Sequence, residues 1–280
     1  MSPIKERYLS SAILALGIAG LFSAASALGA AVVQELKGDV RAGATPAQSR
    51  PVAPNQRVLT GTVVTTAPGS RVVLRFDDGQ IVALHENTQF RIVDFRFRPQ
   101  EPKADRAAFV LLRGALRAVT GALGKRSPGA FSLVVPTATI GIRGTDFMVA
   151  IAAPAAYLSV LKGTVAATNV AGTAAFGAGA FGSIATSATL AVSVTASALP
   201  AAVSSAFRDL GALPITPAAG PAAGEKLPEA AALPAQDASA LGRETAERAR
   251  ELKGNLGREF GQGVSEEARQ RAQDRISSKP

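Results

Sequence analysis

Arg71-Val-Val-Leu-Arg-Phe-Asp-Asp-Gly-Gln-Ile-Val-Ala-Leu84 places two short apolar runs on either side of Asp78-Gly79. That dipeptide is a tight-turn signal, because glycine accepts the positive φ that such a turn needs. The stretch therefore reads as a β-hairpin, with Arg71 to Phe76 as one strand and Gln80 to Leu84 as its return.

The same grammar continues outward. Gly61-Thr-Val-Val-Thr-Thr66 is rich in β-branched residues and stops at the turn dipeptide Pro68-Gly69. Downstream, Phe90, Ile92, Phe95 and Phe97 alternate with Arg91, Arg96 and Arg98, and the change of phase between Ile92 and Phe95 predicts a bulge. Pro99 to Ala107 is polar and proline-bearing, a loop. Phe109 to Val119 is a strand, and Gly121 to Gly129 is a glycine- and proline-punctuated connector. Phe131 to Pro136, Thr137 to Ile151, Tyr157 to Leu161 and Gly163 to Thr168 complete a run of strands with no helix between them. A mostly β domain is predicted for residues 31–195. Gly61-x-Val63, Gly114-x-Leu116 and Gly163-x-Val165 are each expected to open a short strand. Their spacing of about 50 residues favours a coiled, solenoid-like stack over a sandwich.

Residues 1–30 have the parts of a secretory signal: Lys5 and Arg7, an apolar run from Leu9 to Phe22, and a small-residue exit. Ala25-Ser26-Ala27 fits the cleavage pattern, with a cut after Ala30 as the alternative. The competing reading is an uncleaved anchor, since Leu9 to Val33 carries no charge and about 20 apolar residues span a bilayer. The expected location is the periplasm, free or anchored to the inner membrane. With no cysteine, disulfides, thiol catalysis and thiolate metal sites are excluded.

After Asn169 the composition changes. Gly172 to Phe207 is nearly all small residues and carries no charge, and Thr189 to Thr195 suits one thin strand pair. Residues 196–239 read as an Ala/Gly/Pro-rich linker. Residues 240–280 read as a charged, partly helical tail, in which Glu244 with Arg248 and Glu267 with Arg271 are favourable i,i+4 pairs. Gly254, Gly257, Gly261 and Gly263 each cost a helix about 0.5–1 kcal/mol, so that helix is expected to fray unless a partner orders it.

The net charge of +9 is concentrated in the β part: from Glu35 to Lys162 there are 17 Lys and Arg against 9 Asp and Glu, whereas from Arg208 onward there are 11 of each. A basic exported surface suits an envelope protein or an anionic glycan, and export removes nucleic acid as a partner. Membrane association would run through residues 9–33 or the C-terminal helix.

Catalytic chemistry finds little support. His85 is the sole histidine, no Gly-x-Ser-x-Gly elbow occurs, and His85 reads as a turn or strand-edge residue. Asp77, Asp78, Glu86, Asp94 and Asp146 are the carboxylates that glycoside hydrolysis would draw on. The absence of tryptophan and the presence of only two tyrosines speak against a sugar cleft. Gly141-Ile-Arg-Gly-Thr-Asp-Phe147 lacks the lysine and the spacing of a phosphate loop. It reads instead as a backbone corner, with Arg143 and Asp146 pairing across it. No catalytic residue, cofactor or metal is expected.

The stretch Thr137-Ala-Thr-Ile-Gly-Ile-Arg-Gly-Thr-Asp-Phe147 resembles the signature of the FecR domain, found in sensor and anti-sigma regulators and in many exported proteins. Gly38-Asp-Val40, Val73 to Gly79 and Gly163 to Asn169 agree in kind and order, so the resemblance runs from about Val33 to Asn169. It implies a twisted β-solenoid in the periplasm, with Thr139, Gly141, Arg143, Gly144, Thr145, Asp146 and Phe147 as signature residues of structural role. Regulators of the family carry an anti-sigma segment before their membrane helix and end in a small α/β module. Here eight residues precede the apolar run and the C-terminal part differs, so the domain rather than the pathway is expected to carry over. The function implied is a non-catalytic envelope scaffold or partner-sensing module. The alternatives are a component of a transmembrane signalling pathway working with a separate anti-sigma or receptor protein and, behind it, a glycan-cleaving enzyme.

Overall fold

The computed structural model describes residues 29–215. The expected signal segment, apart from its last two residues, and the expected charged tail lie outside them. The class is mostly β. The first strands are β1 (Gly29–Lys37), β2 (Val40–Gly43), β3 (Arg50–Pro51), β4 (Arg57–Leu59) and β5 (Val63–Thr66). Next come β6 (Arg71–Phe76), β7 (Ile81–Leu84), β8 (Gln89–Arg96) and β9 (Arg106–Val119), then a short helix α1 (Ala122–Arg126) and β10 (Phe131–Val135). The last are β11 (Ala138–Ala152), β12 (Ala155–Asn169), β13 (Gly172–Gly177), β14 (Phe181–Ile184) and β15 (Val192–Val194), followed by helix α2 (Ala201–Gly211). All fifteen strands belong to one hydrogen-bonded sheet.

The predicted hairpin is β6–β7, paired from Val72↔Leu84 to Arg75↔Ile81, with Gly79 at φ +82 in its turn. The predicted bulge in β8 is there too, as a register shift between Ile92 and Asp94. Three readings need correction. The expected linker of residues 196–239 contains helix α2, packed on the sheet. The Gly121–Gly129 connector contains α1. Gly114 and Gly163 do not open short strands but sit inside strands of 14 and 15 residues.

The role of those glycines explains the architecture. In β9, Ala107, Phe109 and Leu111 face the core before Gly114, and Leu116 and Ala118 face it afterwards. In β11 the inward set changes from Ala138, Ile140 and Ile142 to Phe147 and Val149 across Gly144. In β12 it changes from Ala156, Leu158 and Val160 to Val165 and Ala167 across Gly163. Side chains alternate with period 2, so each strand swaps its inner face at its glycine. All three glycines have positive φ, at +84, +58 and +76, a conformation glycine adopts without steric cost. The strands also change partners there: β9 pairs β8 and, in parallel, β10 before Gly114, and β7 and β11 from Gly114 onward. The sheet is thereby folded into two halves sharing β9, β11 and β12. One half runs β3-β2-β5-β8-β9-β10-β11-β12-β13, the other β4-β1-β6-β7-β9-β11-β12-β14-β15.

The core lies between the halves. A chain of ring contacts threads it, from Phe76 to Phe109 (centroids 5.2 Å apart), Phe109 to Phe131 (5.7 Å) and Phe131 to Phe147 (6.3 Å). A second apolar cluster sits on the outer face of the β6–β7 half, where α2 lays Val203, Ala206, Phe207 and Leu210 over Ile81, Ala115, Val119, Met148 and Ala150.

The bend in β12 leaves no room for a side chain. A Cβ on Gly163 would stand 2.3 Å from the carbonyl oxygen of Gly144, whereas one on Gly61 (φ +87) would meet nothing within 4 Å. Gly61→Ala is expected to cost about 1–2 kcal/mol, the steric penalty of a left-handed residue. Gly163→Ala carries that penalty plus displacement of the neighbouring strand, so its melting temperature should fall well below that of the Gly61 variant in parallel thermal melts.

Candidate functional site

The signature stretch crosses the bend of β11, and its residues divide there. Before the bend, Thr139 and Gly141 are buried and register opposite Thr168 and Ala166 of β12. At the bend, Arg143 and Gly144 are exposed. After it, Thr145 is locked to Thr120 at the end of β9: the Thr145 N–H donates to Thr120 Oγ1 (2.9 Å), and Thr120 Oγ1 donates to the Thr145 carbonyl (2.8 Å). Phe147 is fully buried against Phe131.

Asp146 does not pair with Arg143 as the sequence suggested. Asp146 instead accepts two bonds from Arg117, which pairing between β9 and β11 brings alongside it. Arg117 Nε donates to Oδ1 (2.9 Å) and Nη2 to Oδ2 (2.8 Å), with both residues buried. This fork-to-fork geometry is the strongest arrangement such a pair adopts.

The remaining guanidinium nitrogen reaches the end of α2. Arg117 Nη1 donates to the carbonyls of Leu210 (3.1 Å), Gly211 (3.3 Å) and Leu213 (3.2 Å). The last carbonyls of a helix have no partner within it and carry partial negative charge, so a buried cation there satisfies and stabilises them. A chain of bonds thus runs from the signature stretch, through Asp146 and Arg117, to the carbonyls at the end of α2.

A second contact holds the same helix. His85, just past β7, places Nε2 3.2 Å from Asp209 Oδ2 on α2. His85 is fixed by its main chain: its N–H donates to the Ala115 carbonyl (2.9 Å) and its carbonyl accepts from Thr66 Oγ1 (2.6 Å). Beside the pair lies a cavity of about 560 Å³ bordered by Lys37, Ser70, His85, Glu86, Asp209 and Leu213. Its rim is already paired in part. Glu86 accepts the Gly69 N–H, and Arg71 donates to Glu35 (2.7 Å).

The other carboxylates are engaged as well. Asp77 pairs with Arg57 (3.0 Å), and Asp94 with Arg96 (2.6 Å) and Arg106 (3.2 Å). Asp78 is buried, where it accepts the N–H groups of Gln80 (2.8 Å) and Leu123 (3.1 Å) and so ties the hairpin to α1. Burial raises its pKa above the ordinary 3.8, against the lowering effect of those backbone bonds. Sequence reasoning passed over Arg117 and α2. The signal for the helix was present, since Val203, Ala206, Phe207 and Leu210 follow the i, i+3, i+4, i+7 spacing of an apolar stripe.

Residues 62–166 match the family described as FecR protein. No curated protein matches the chain. Among solved structures it resembles a protein from Parabacteroides distasonis ATCC 8503 provisionally assigned as an anti-sigma factor, determined at 1.65 and 2.50 Å resolution. Identity is 14% and the TM-score 0.39, over 48% of this chain and 59% of that one, so the likeness spans little more than half of that protein's length.

Proposed function

We propose that the protein is a non-catalytic FecR-domain module of the bacterial envelope, which binds an envelope partner and passes that binding to the chain beyond residue 215. The observation that carries this reading is Arg117, joined at once to Asp146 of the signature and to the carbonyls at the end of α2. A partner that shifts β9 against β11 would alter the hold on the departing chain. The FecR match and the signal-like N-terminus favour the envelope. The engagement of each candidate carboxylate with arginine or backbone N–H favours a structural signature over glycan cleavage. The fold of the sheet along its glycines is read here as the solenoid-like winding that the family resemblance implies. The burial of Ala30 and Ala31 in β1 supports a cut after Ala27 over one after Ala30.

In-cell crosslinking of the tagged full chain, followed by mass spectrometry, tests the proposal. Cell-wall fragments or structural envelope proteins are the expected capture, with Leu28 as the new N-terminus. Capture of a receptor or an anti-sigma protein would shift the reading to a signalling pathway split over two chains. An uncut chain crosslinked to cytoplasmic proteins would overturn it.

A further inference from the structure

Three neighbouring strands, β1, β6 and β7, have their ends together beside the C-terminal end of α2. Lys37, the last residue of β1, registers opposite Arg71, the first of β6, and the β6–β7 ladder closes at Val72↔Leu84, one residue before His85. Alternate residues of a strand share a face, so Arg71 and His85 stand on the face where Val73 and Ala83 pack against α2. Between these strand ends and the chain following α2 lies the cavity of about 560 Å³. Its walls carry two cations, Lys37 and Arg71, and two carboxylates, Glu86 and Asp209. Arg71 Nη2 is taken by Glu35, but Arg71 Nε is buried and has no hydrogen-bond partner among the described residues. A buried donor left unpaired is costly, so this one calls for an acceptor. Lys37 is exposed and makes no ion pair among the described residues. Asp209 meets His85 through Oδ2, and Glu86 meets the Gly69 N–H through Oε2, which leaves the second oxygen of each carboxylate open among the described residues.

We infer that this cavity binds a short peptide with both ends free, its carboxylate toward Lys37 and Arg71 and its ammonium toward Glu86 and Asp209. A plain anion would meet two carboxylates there and a plain cation two basic groups, whereas a zwitterion finds an opposite charge at each end. Cavities of roughly 300–1,000 Å³ take drug-sized ligands, which favours a short peptide over a single amino acid. Leu84, Leu210 and Leu213 supply the apolar wall on which its side chains rest. The site touches both anchors of α2. Asp209 belongs to the helix, and Leu213 gives its carbonyl to Arg117, so a bound peptide bridges the strand ends to the segment that Arg117 grips. The inference goes beyond the envelope partner proposed above, and the two fail separately, because binding by the purified chain is measured without reference to what it captures in cells.

The test is titration calorimetry of the full chain with trialanine and trileucine, each also in N-acetylated and in C-amidated form. At least one free tripeptide should bind one to one and raise the melting temperature, as a ligand of the folded state does. Blocking either end should weaken binding by about tenfold or more, the effect of losing one charged hydrogen bond. Lys37→Gln and Glu86→Gln carry the second reading, and both should melt like wild type. Lys37→Gln should weaken the free peptide about as much as amidation does, with no further loss on the amidated form. Glu86→Gln should behave in the same way toward acetylation. Failure of both free tripeptides to bind at millimolar concentration would overturn the inference. So would equal binding of the blocked forms, or unchanged affinity in folded Lys37→Gln and Glu86→Gln.

Discussion

Replacing Asp146 with alanine is expected to lower the unfolding free energy by about 3–5 kcal/mol, the usual result of stranding one partner of a buried ion pair. Arg117 is 7% exposed and would keep its positive charge with only the α2 carbonyls left to receive it. A typical domain has about 5–15 kcal/mol in total, so this loss should show as a collapse of secretion yield as well as in urea denaturation. Arg143→Ala is the control from the same signature. Its side chain is exposed, and a surface substitution of that kind moves stability by about 0.5 kcal/mol or less. If both variants unfold at the same urea concentration, the assignment of Asp146 to Arg117 is wrong.

The second large effect concerns where the domain ends. A chain cut after Ile215 should melt like the full-length protein, because α2 and the carbonyls that Arg117 binds are kept. A chain cut after Thr195 loses Val203, Phe207 and Leu210 from the outer face of the sheet. Full burial of each such side chain contributes about 1.5–3 kcal/mol, so the three together approach the stability of a whole domain. That shorter chain should bind a hydrophobic dye and aggregate. A shorter chain that melts normally would show that α2 is dispensable.

The hairpin and the β8 bulge were legible because local chemistry decides them: Asp78-Gly79 admits only a tight turn, and four phenylalanines and isoleucines mark the phase. The mostly β class followed from the same short-range signals. The bends were misread because glycine is silent about whether it ends a strand or turns it over. Only the phase of Leu111 against Leu116, or of Ile142 against Phe147, reveals the difference, and that comparison requires knowing that the strand continues. The partner of Asp146 was hidden for a similar reason. Arg143 is three residues away and Arg117 twenty-nine, and no local rule favours the distant one. Helix α2 was lost in an alanine-rich background, where a stripe of four apolar positions has little contrast with its neighbours.

Arg117 grips α2 through backbone oxygens at residues 210, 211 and 213, not through side chains. Those oxygens are present whatever amino acid occupies each position. The joint is therefore blind to spelling but sensitive to counting: substitutions across Gly211 to Leu213 leave the three acceptors in place, whereas one inserted or deleted residue moves them out of reach. Drift in this part of the gene should accordingly appear as exchanges at constant length, with length changes confined to the chain beyond it.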